Sequence, residues 1–221
     1  MPQQFDFPKS PIQLNFNPRT VYLVLGILGI LWVLSGIYTV DPDENAVILR
    51  FGKLHEVVDP GLHYHWPAPI EMAIIRSVTR VYREEIGFQT IDPGPPAKYR
   101  RRPKEALMLT GDENIVNVEM VVQYRVSSVT DALFHVRGLG AFEATGGGLI
   151  HDACEASLRQ VVGRHGIDEV LTEGKLRVQT EIKEKLQELF NVYECGLVVE
   201  SVQLQSVGPP QQVDAAFKDV A

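Results

Sequence analysis

"IVNVEMVVQYRV", residues 115–126, reads as a strand with one buried and one wet face. Val116, Val118, Met120, Val122, Tyr124 and Val126 recur with period two, while Asn117, Glu119, Gln123 and Arg125 take the other side. That pattern suits an antiparallel sheet covered on one side only. "EALMLT" (105–110) before it reads as a partner strand, and "GDEN" (111–114) as the turn between them. The cover is expected downstream. Residues 148–162 read as a helix with Gly163 as its cap, and the glycines at 146–148 as a fraying start. Thr172 caps a second helix over 173–190, with Leu171 and Leu176 placed as a hydrophobic staple. Val178, Ile182, Leu186 and Leu189 form its apolar stripe, and Glu181 precedes Lys185 by one turn. "CGLVVESVQLQSV" (195–207) returns to strand. Pro209 and Pro210 then open a last helix with Val213, Phe217 and Val220 on one face. Its pattern is still running at Ala221, which reads as the start of a longer, truncated helix.

Upstream of the decisive strand the chain is again β-rich. "NAVILRF" (45–51) alternates, placing Val47, Leu49 and Phe51 on one face, and Gly52-Lys53 reads as a turn. "HEVV" runs into a second turn at Asp59-Pro60-Gly61. "EMAIIRSVTRVYREEIGFQT" (71–90) is read as strands for its β-branched content. Residues 92–104, with four prolines and five basic residues, read as an exposed connector. The alternative for that stretch is contact of Arg100, Arg101 and Arg102 with anionic lipid or an acidic partner.

The strongest local feature lies at the other end. "VYLVLGILGILWVLSGIYTV", Val21 to Val40, carries no charge, and twelve of its twenty residues are Leu, Ile or Val. A helix of that length covers about 30 Å, one hydrocarbon core. Each aliphatic residue favours insertion by roughly 0.3–0.6 kcal/mol near the bilayer centre. The run is longer than the core of a cleaved leader, and no small-residue cleavage pattern follows it. It is read as a transmembrane helix with Val21, Tyr22, Tyr38 and Val40 at its ends, where the tyrosine rings suit the headgroup zone. Gly29 and Gly36 fall on one face and would permit close helix packing. Lys9 and Arg19 precede the run, whereas Asp41, Asp43 and Glu44 follow it, so the N-terminus is expected inside and residues 41–221 outside. Residues 1–20, with four prolines, read as a disordered tail.

The remaining features argue against chemistry. A net charge of −7 with no basic excess points away from nucleic acid. Two cysteines exclude a disulfide-dense scaffold and a four-cysteine zinc site. A Cys154–Cys195 disulfide is open in an oxidising compartment. His63 and His65 share a strand face, but neither His55 nor any cysteine or well-spaced carboxylate completes a metal set. Tyr64 and Trp66, among Pro67 and Pro69, suit either ordinary packing or a rigid aromatic element at a membrane surface. His151 and Cys154 are helical neighbours without an oxyanion hole, and "TGGGLIHD" lacks the Lys-Ser/Thr pair of a phosphate loop. No catalytic, cofactor or metal residue is assigned.

"VDPDENAVILRFGKLHEVVDPGLHYHWPAPIE", "EALMLTGDENIVNVEMVVQYRV", "VVGRHGIDEVLTEGK" and "VESVQLQSVGPPQQVDAAFKDVA" together resemble the HflK/C branch of the stomatin, prohibitin, flotillin and HflK/C (SPFH, or band 7) family, over about residues 38–221. The resemblance implies an α+β fold: one N-terminal transmembrane helix (21–40), a membrane-proximal β part (41–105), an α/β part (106–206) and the start of a long helix (207–221). It further implies a non-catalytic scaffold in a bacterial inner membrane, with its main domain extracytoplasmic and no cofactor. An HflC-like homologous subunit would alternate with it in a large ring or cage. That cage would enclose an FtsH-like membrane protease and control substrate access. A stomatin-like lipid scaffold without a protease partner is the alternative. The tail is short for this branch, and Gly146 to Gly148 stand where relatives have a better helix.

Overall fold

A computed structural model describes residues 18–136, 148–171 and 174–209. Strand β10 (Ile115–Val126) is the spine of the largest sheet. β11 (Leu197–Gly208) lies antiparallel along one side of it. The other side is shared by β6 (Val81–Ile86) and β9 (Leu107–Leu109), both antiparallel. The six residues expected to face inward are all buried, Val116, Val118, Met120 and Val122 completely. Val121 is buried as well, so the wet face is only partly wet.

Two helices supply the cover, α4 (Leu149–Val162) and α6 (Lys175–Val192). Helix α4 buries Ile150, Ala153, Cys154, Ser157, Leu158 and Val161, a three-four spacing that defines one apolar face. In α6 the buried residues are Val178, Ile182, Leu186 and Phe190. Phe190 extends this stripe, and Leu189 packs partly buried against the same core. These side chains and those of β10 and β11 form one continuous core. Two short helices were not expected from the sequence, α3 (Val129–His135) and α5 (Ile167–Leu171). Ser128 caps α3 by accepting the Asp131 N–H.

The outer edge of β11 is partly covered. The Gln187 side-chain amide donates to the Leu197 carbonyl (3.1 Å) and accepts the Val199 N–H (2.9 Å). Lys183 donates to the Glu200 carbonyl at 2.9 Å.

The N-terminal part is built of smaller antiparallel sheets. β2 (Glu44–Arg50) is flanked by β3 (Lys53–Val58) and β5 (Glu71–Ser77). β2 serves two cores: Val47 enters the large one, while Ala46 and Ile48 join Val40 and Val58 in a small one. Phe51 does not share the Val47 face. It sits with Gly52 in the two-residue turn between β2 and β3, both at positive φ (50° and 80°), and Lys53 already belongs to β3. β1 (Ile37–Val40) pairs with β4 (Gly61–Tyr64) in a separate ribbon.

Several expectations are corrected. The apolar helix α1 covers Pro18–Leu34, not residues 21–40. Among the described residues no helix is long and apolar enough to cross a membrane. Tyr38 and Val40 are therefore not helix ends but β1 residues, and Val40 is only 2% exposed. The cause is local. A Cβ on Gly36 would stand 2.0 Å from the His65 carbonyl oxygen, and the Gly36 carbonyl accepts the His65 N–H at 2.9 Å. Gly36 is thus a close-approach residue that turns the chain into β1, not a partner of Gly29 on a helix face. The basic stretch is also not a plain connector. Lys98–Arg101 form β8, which pairs with β7 (Phe88–Asp92), and Pro103–Ala106 form the one-turn helix α2. The expected strand at 105–110 accordingly shrinks to β9. The glycines at 146 and 147, the Thr172 cap and the helix after Pro210 lie outside the described residues. Gly163 does cap α4, in right-handed conformation.

Candidate functional site

The ribbon β1–β4 sorts its residues by face. Ile37 pairs with Tyr64 and Thr39 with Leu62, so these four point one way. All four are exposed, Leu62 at 73%, and Trp66 follows at 48%. Tyr38, Val40 and His63 point the other way, toward the small core. The result is an aromatic and aliphatic outer face carried on a short rigid ribbon. Helix α1 joins it directly. Every residue from Val21 to Leu34 is exposed, and the Trp32 Nε1–H donates to the Ala68 carbonyl at 3.1 Å. The end of the apolar helix is thereby pinned to the loop that follows Trp66.

Glu71 holds that loop from below. It is 5% exposed and accepts the Trp66 N–H at 2.7 Å. Arg50, its cross-strand partner, reaches the same carboxylate at 2.6 and 2.7 Å. Burial pushes the Glu71 carboxyl up, but the Trp66 amide and the Arg50 guanidinium outweigh it and hold it below the ordinary carboxylate value.

The two histidines of this stretch flank one tyrosine. The ring of Tyr38 lies 6.1 Å from His63 and 5.1 Å from His65. His63 Nε2 is 2.8 Å from the Asp59 carbonyl, and His65 Nδ1 is 2.8 Å from that of Trp66. Both are spent on backbone, and no metal-ligating cluster occurs among the described residues.

The three arginines have different fates. Arg100 is exposed on β8. Arg101 is exposed and approaches Glu119 at 3.7 Å. Arg102 turns inward, which removes it as a free contact. It donates to Glu105 and to Gln89, each at 2.9 Å, and its backbone N–H bonds the Gly87 carbonyl.

His151 and Cys154 are brought together on α4, but not as a reactive pair. Cys154 is fully buried, and burial pushes its thiol well up. His151 Nδ1 lies 2.7 Å from Glu84, and its Nε2 lies 3.7 Å from Glu105. Cys154 and Cys195 are both free and buried, so the disulfide that an oxidising compartment would permit is not formed.

One group went unnoticed in the sequence. In the turn 110–114, Thr110 hydrogen-bonds Asp112, and Asp112 accepts the Ile167 N–H at 3.1 Å, capping α5. The Gly111 N–H bonds the His165 carbonyl at 2.8 Å. His165 itself lies between Glu169 (2.5 Å) and Glu181 (2.7 Å). The block "LTGDEN" is therefore the bracket that seats the chain after α4. Glu181 serves His165 rather than Lys185, which pairs with Glu188 at 2.7 Å. A histidine four residues before a glutamate was the available signal.

Known proteins resemble this chain along most of its length. The chain is 37% identical over 213 residues to Protein HflK of Treponema pallidum, covering 93% of this chain and 63% of that one. It is 31% identical over 201 residues to the Modulator of FtsH protease HflK of Escherichia coli K12, with 91% and 42% covered. Protein HflK of Haemophilus influenzae is 33% identical over 201 residues, with 91% and 43% covered. The chain thus spans between two-fifths and two-thirds of the length of these relatives. Residues 38–221 match the SPFH domain / Band 7 family, and with relatives of this one kind along nine-tenths of its length the chain belongs to that family, in its HflK branch.

Proposed function

We propose that the chain is a membrane-tethered, non-catalytic scaffold that modulates an FtsH-like protease. It assembles with an HflC-like homologous subunit into a ring or cage and controls which membrane substrates reach the enzyme. The observation that carries this reading is the joint between α1 and the ribbon: an exposed apolar helix pinned to an exposed aromatic face. Helix α1 is about 25 Å long, roughly one turn short of a ~30 Å hydrocarbon core. Ile37, Leu62, Tyr64 and Trp66 at its exit would occupy the remaining depth at headgroup level. The flanking charges favour an inner N-terminus and an extracytoplasmic main domain, and the resemblance to bacterial HflK proteins supports a bacterial inner-membrane location. The name of the Escherichia coli relative, modulator of FtsH protease, supports the partner. The buried thiol of Cys154 and the carboxylate-bound ring of His151 support a role without catalysis.

The test is purification of the native protein in mild detergent. Co-elution with an ATP-dependent membrane protease and a second SPFH-type subunit, in ring-shaped particles, is the expected result. A lone monomer under the same conditions overturns the reading. The apolar ribbon face and the exposed Arg100 and Arg101 also favour a stomatin-like lipid scaffold. Lipid-dependent clustering in cells lacking the protease, with no protease bound in wild type, would select that alternative.

A further inference from the structure

Both ends of α4 are held by the same device. At its start, the His151 ring is 4% exposed and bridges two elements, with Glu84 of β6 at 2.7 Å and Glu105 of α2 at 3.7 Å. Just past its end, His165 is 6% exposed and bridges two others, with Glu169 of α5 at 2.5 Å and Glu181 of α6 at 2.7 Å. Each imidazole thus sits between two carboxylates carried by different elements, and each is nearly closed to water.

From this geometry we infer that His151 and His165 form a two-point, pH-sensitive lock that fastens α4 to the sheet at one end and to α5 and α6 at the other.

The surroundings set the sign. Around His151 the charged groups are Glu84, Arg83 and Glu85 from β6, Arg80 just before that strand, Glu105 from α2, Arg102 before it, and Glu155 one turn along α4. Arg83 is drawn to Glu85 at 3.0 Å and Arg102 to Glu105 and Gln89, and the bond to Glu84 is the leading influence on His151. Tyr124 and the Cys154 thiol stay neutral, both pushed up by burial. A cation in the first turn of a helix opposes the helix dipole, and the two carboxylates offset that. Around His165 stand Glu169, Glu181, Arg164 and Arg177. Arg164 approaches Glu181 at 3.8 Å, while Asp112 is committed to the Thr110 hydroxyl and the α5 amide.

The bond to Glu84 raises His151 above its ordinary value, and the bonds to Glu169 and Glu181 raise His165. Stabilisation from a raised histidine is complete below the unfolded value of about 6.5 and is lost as pH climbs through the folded one. Glu169, held down by the bond to His165, sets the acid limit, because its contribution is lost as pH falls through its lowered value. The lock is closed in mildly acidic surroundings and opens on the alkaline side. This holds whichever side of a membrane the domain occupies, and so stands apart from the scaffold reading.

The test is amide hydrogen exchange on the full chain in detergent micelles at pH 6.0 and pH 8.5, corrected for intrinsic rates. Amides of residues 149–165 should open about tenfold more at pH 8.5, while those of β10 change little. In His151→Gln/His165→Gln the difference between the two pH values should fall below about twofold. If that variant does not fold, Glu84→Gln and Glu181→Gln take its place. Each keeps an acceptor but removes the charge, and the opening should begin at lower pH. Equal protection of wild-type α4 at both pH values overturns the lock. So does pH dependence that persists in the double variant, or an unmoved onset in the glutamine variants.

Discussion

Replacing Gly36 by alanine should undo the joint between helix and ribbon while sparing the rest of the domain. A methyl at that position would lie 2.0 Å from the His65 carbonyl oxygen and 2.9 Å from Cε2 of the Tyr64 ring. Ordinary carbon–oxygen contact needs roughly 3.3 Å or more, so the two backbones must part by over an ångström. The His65 N–H to Gly36 carbonyl bond, 2.9 Å now, cannot survive that movement. A lost backbone bond costs about 0.5–1.5 kcal/mol and overpacking another ~1–3. The ribbon has only four residue pairs to resist this, so local opening of about 2–4 kcal/mol is expected. The Trp32 contact to Ala68 lies directly beside the strain and should break with it. Gly29→Ala is the matched control, because nothing lies within 4 Å of its added methyl. In a helix interior that change favours the helical state by up to ~1 kcal/mol. Hydrogen exchange on residues 61–66 and tryptophan emission, with Trp32 and Trp66 the only two indoles, read both variants. If Gly36→Ala leaves exchange and emission as in wild type, or if Gly29→Ala disturbs them equally, the joint is misplaced.

Phe190→Ala removes a side chain that is 1% exposed and meets Tyr124 edge-on at 6.4 Å. It should cost about 3–5 kcal/mol, read as a lower urea midpoint with an unchanged slope. Glu71→Gln leaves an acceptor for the Trp66 amide but removes the charge facing Arg50. The wild-type contribution is present above the ordinary carboxylate value of about 4.5 and is lost as pH falls through the lowered one, so the gap between the two melting curves should close in acid. Cys154 and Cys195 should resist a thiol-directed reagent in the folded chain and react once it is unfolded; rapid labelling of Cys154 in native conditions would contradict its full burial.

The α/β half was the more legible in sequence, because β10 and α6 each keep one period over more than ten residues. The same rule failed at Val21–Val40. Hydropathy is blind to conformation, and the apolar letters of Ile37–Val40 suit a strand as well as a helix. Only the approach of Gly36 to His65, a contact between residues 29 apart, decides it. Arg102 was misjudged for a related reason. A run of basic residues looks uniform in sequence, yet strand alternation and the start of α2 send neighbouring side chains in different directions. The short helices α3 and α5 were hidden because seven and five residues carry too little periodicity. The carboxylate partners of His151 lie 67 and 46 positions upstream, on elements the sequence does not visibly bring together.

The amide of Gln187 occupies the place where a neighbouring strand would bind, answering one donor and one acceptor on the rim of β11. Together with Lys183 it occupies three backbone groups near the start of that strand that an incoming backbone would need. An incoming strand would find this end of the rim already occupied, which disfavours backbone pairing between sheets there. A contact at this end would fall to side chains, whose fit can discriminate between partners.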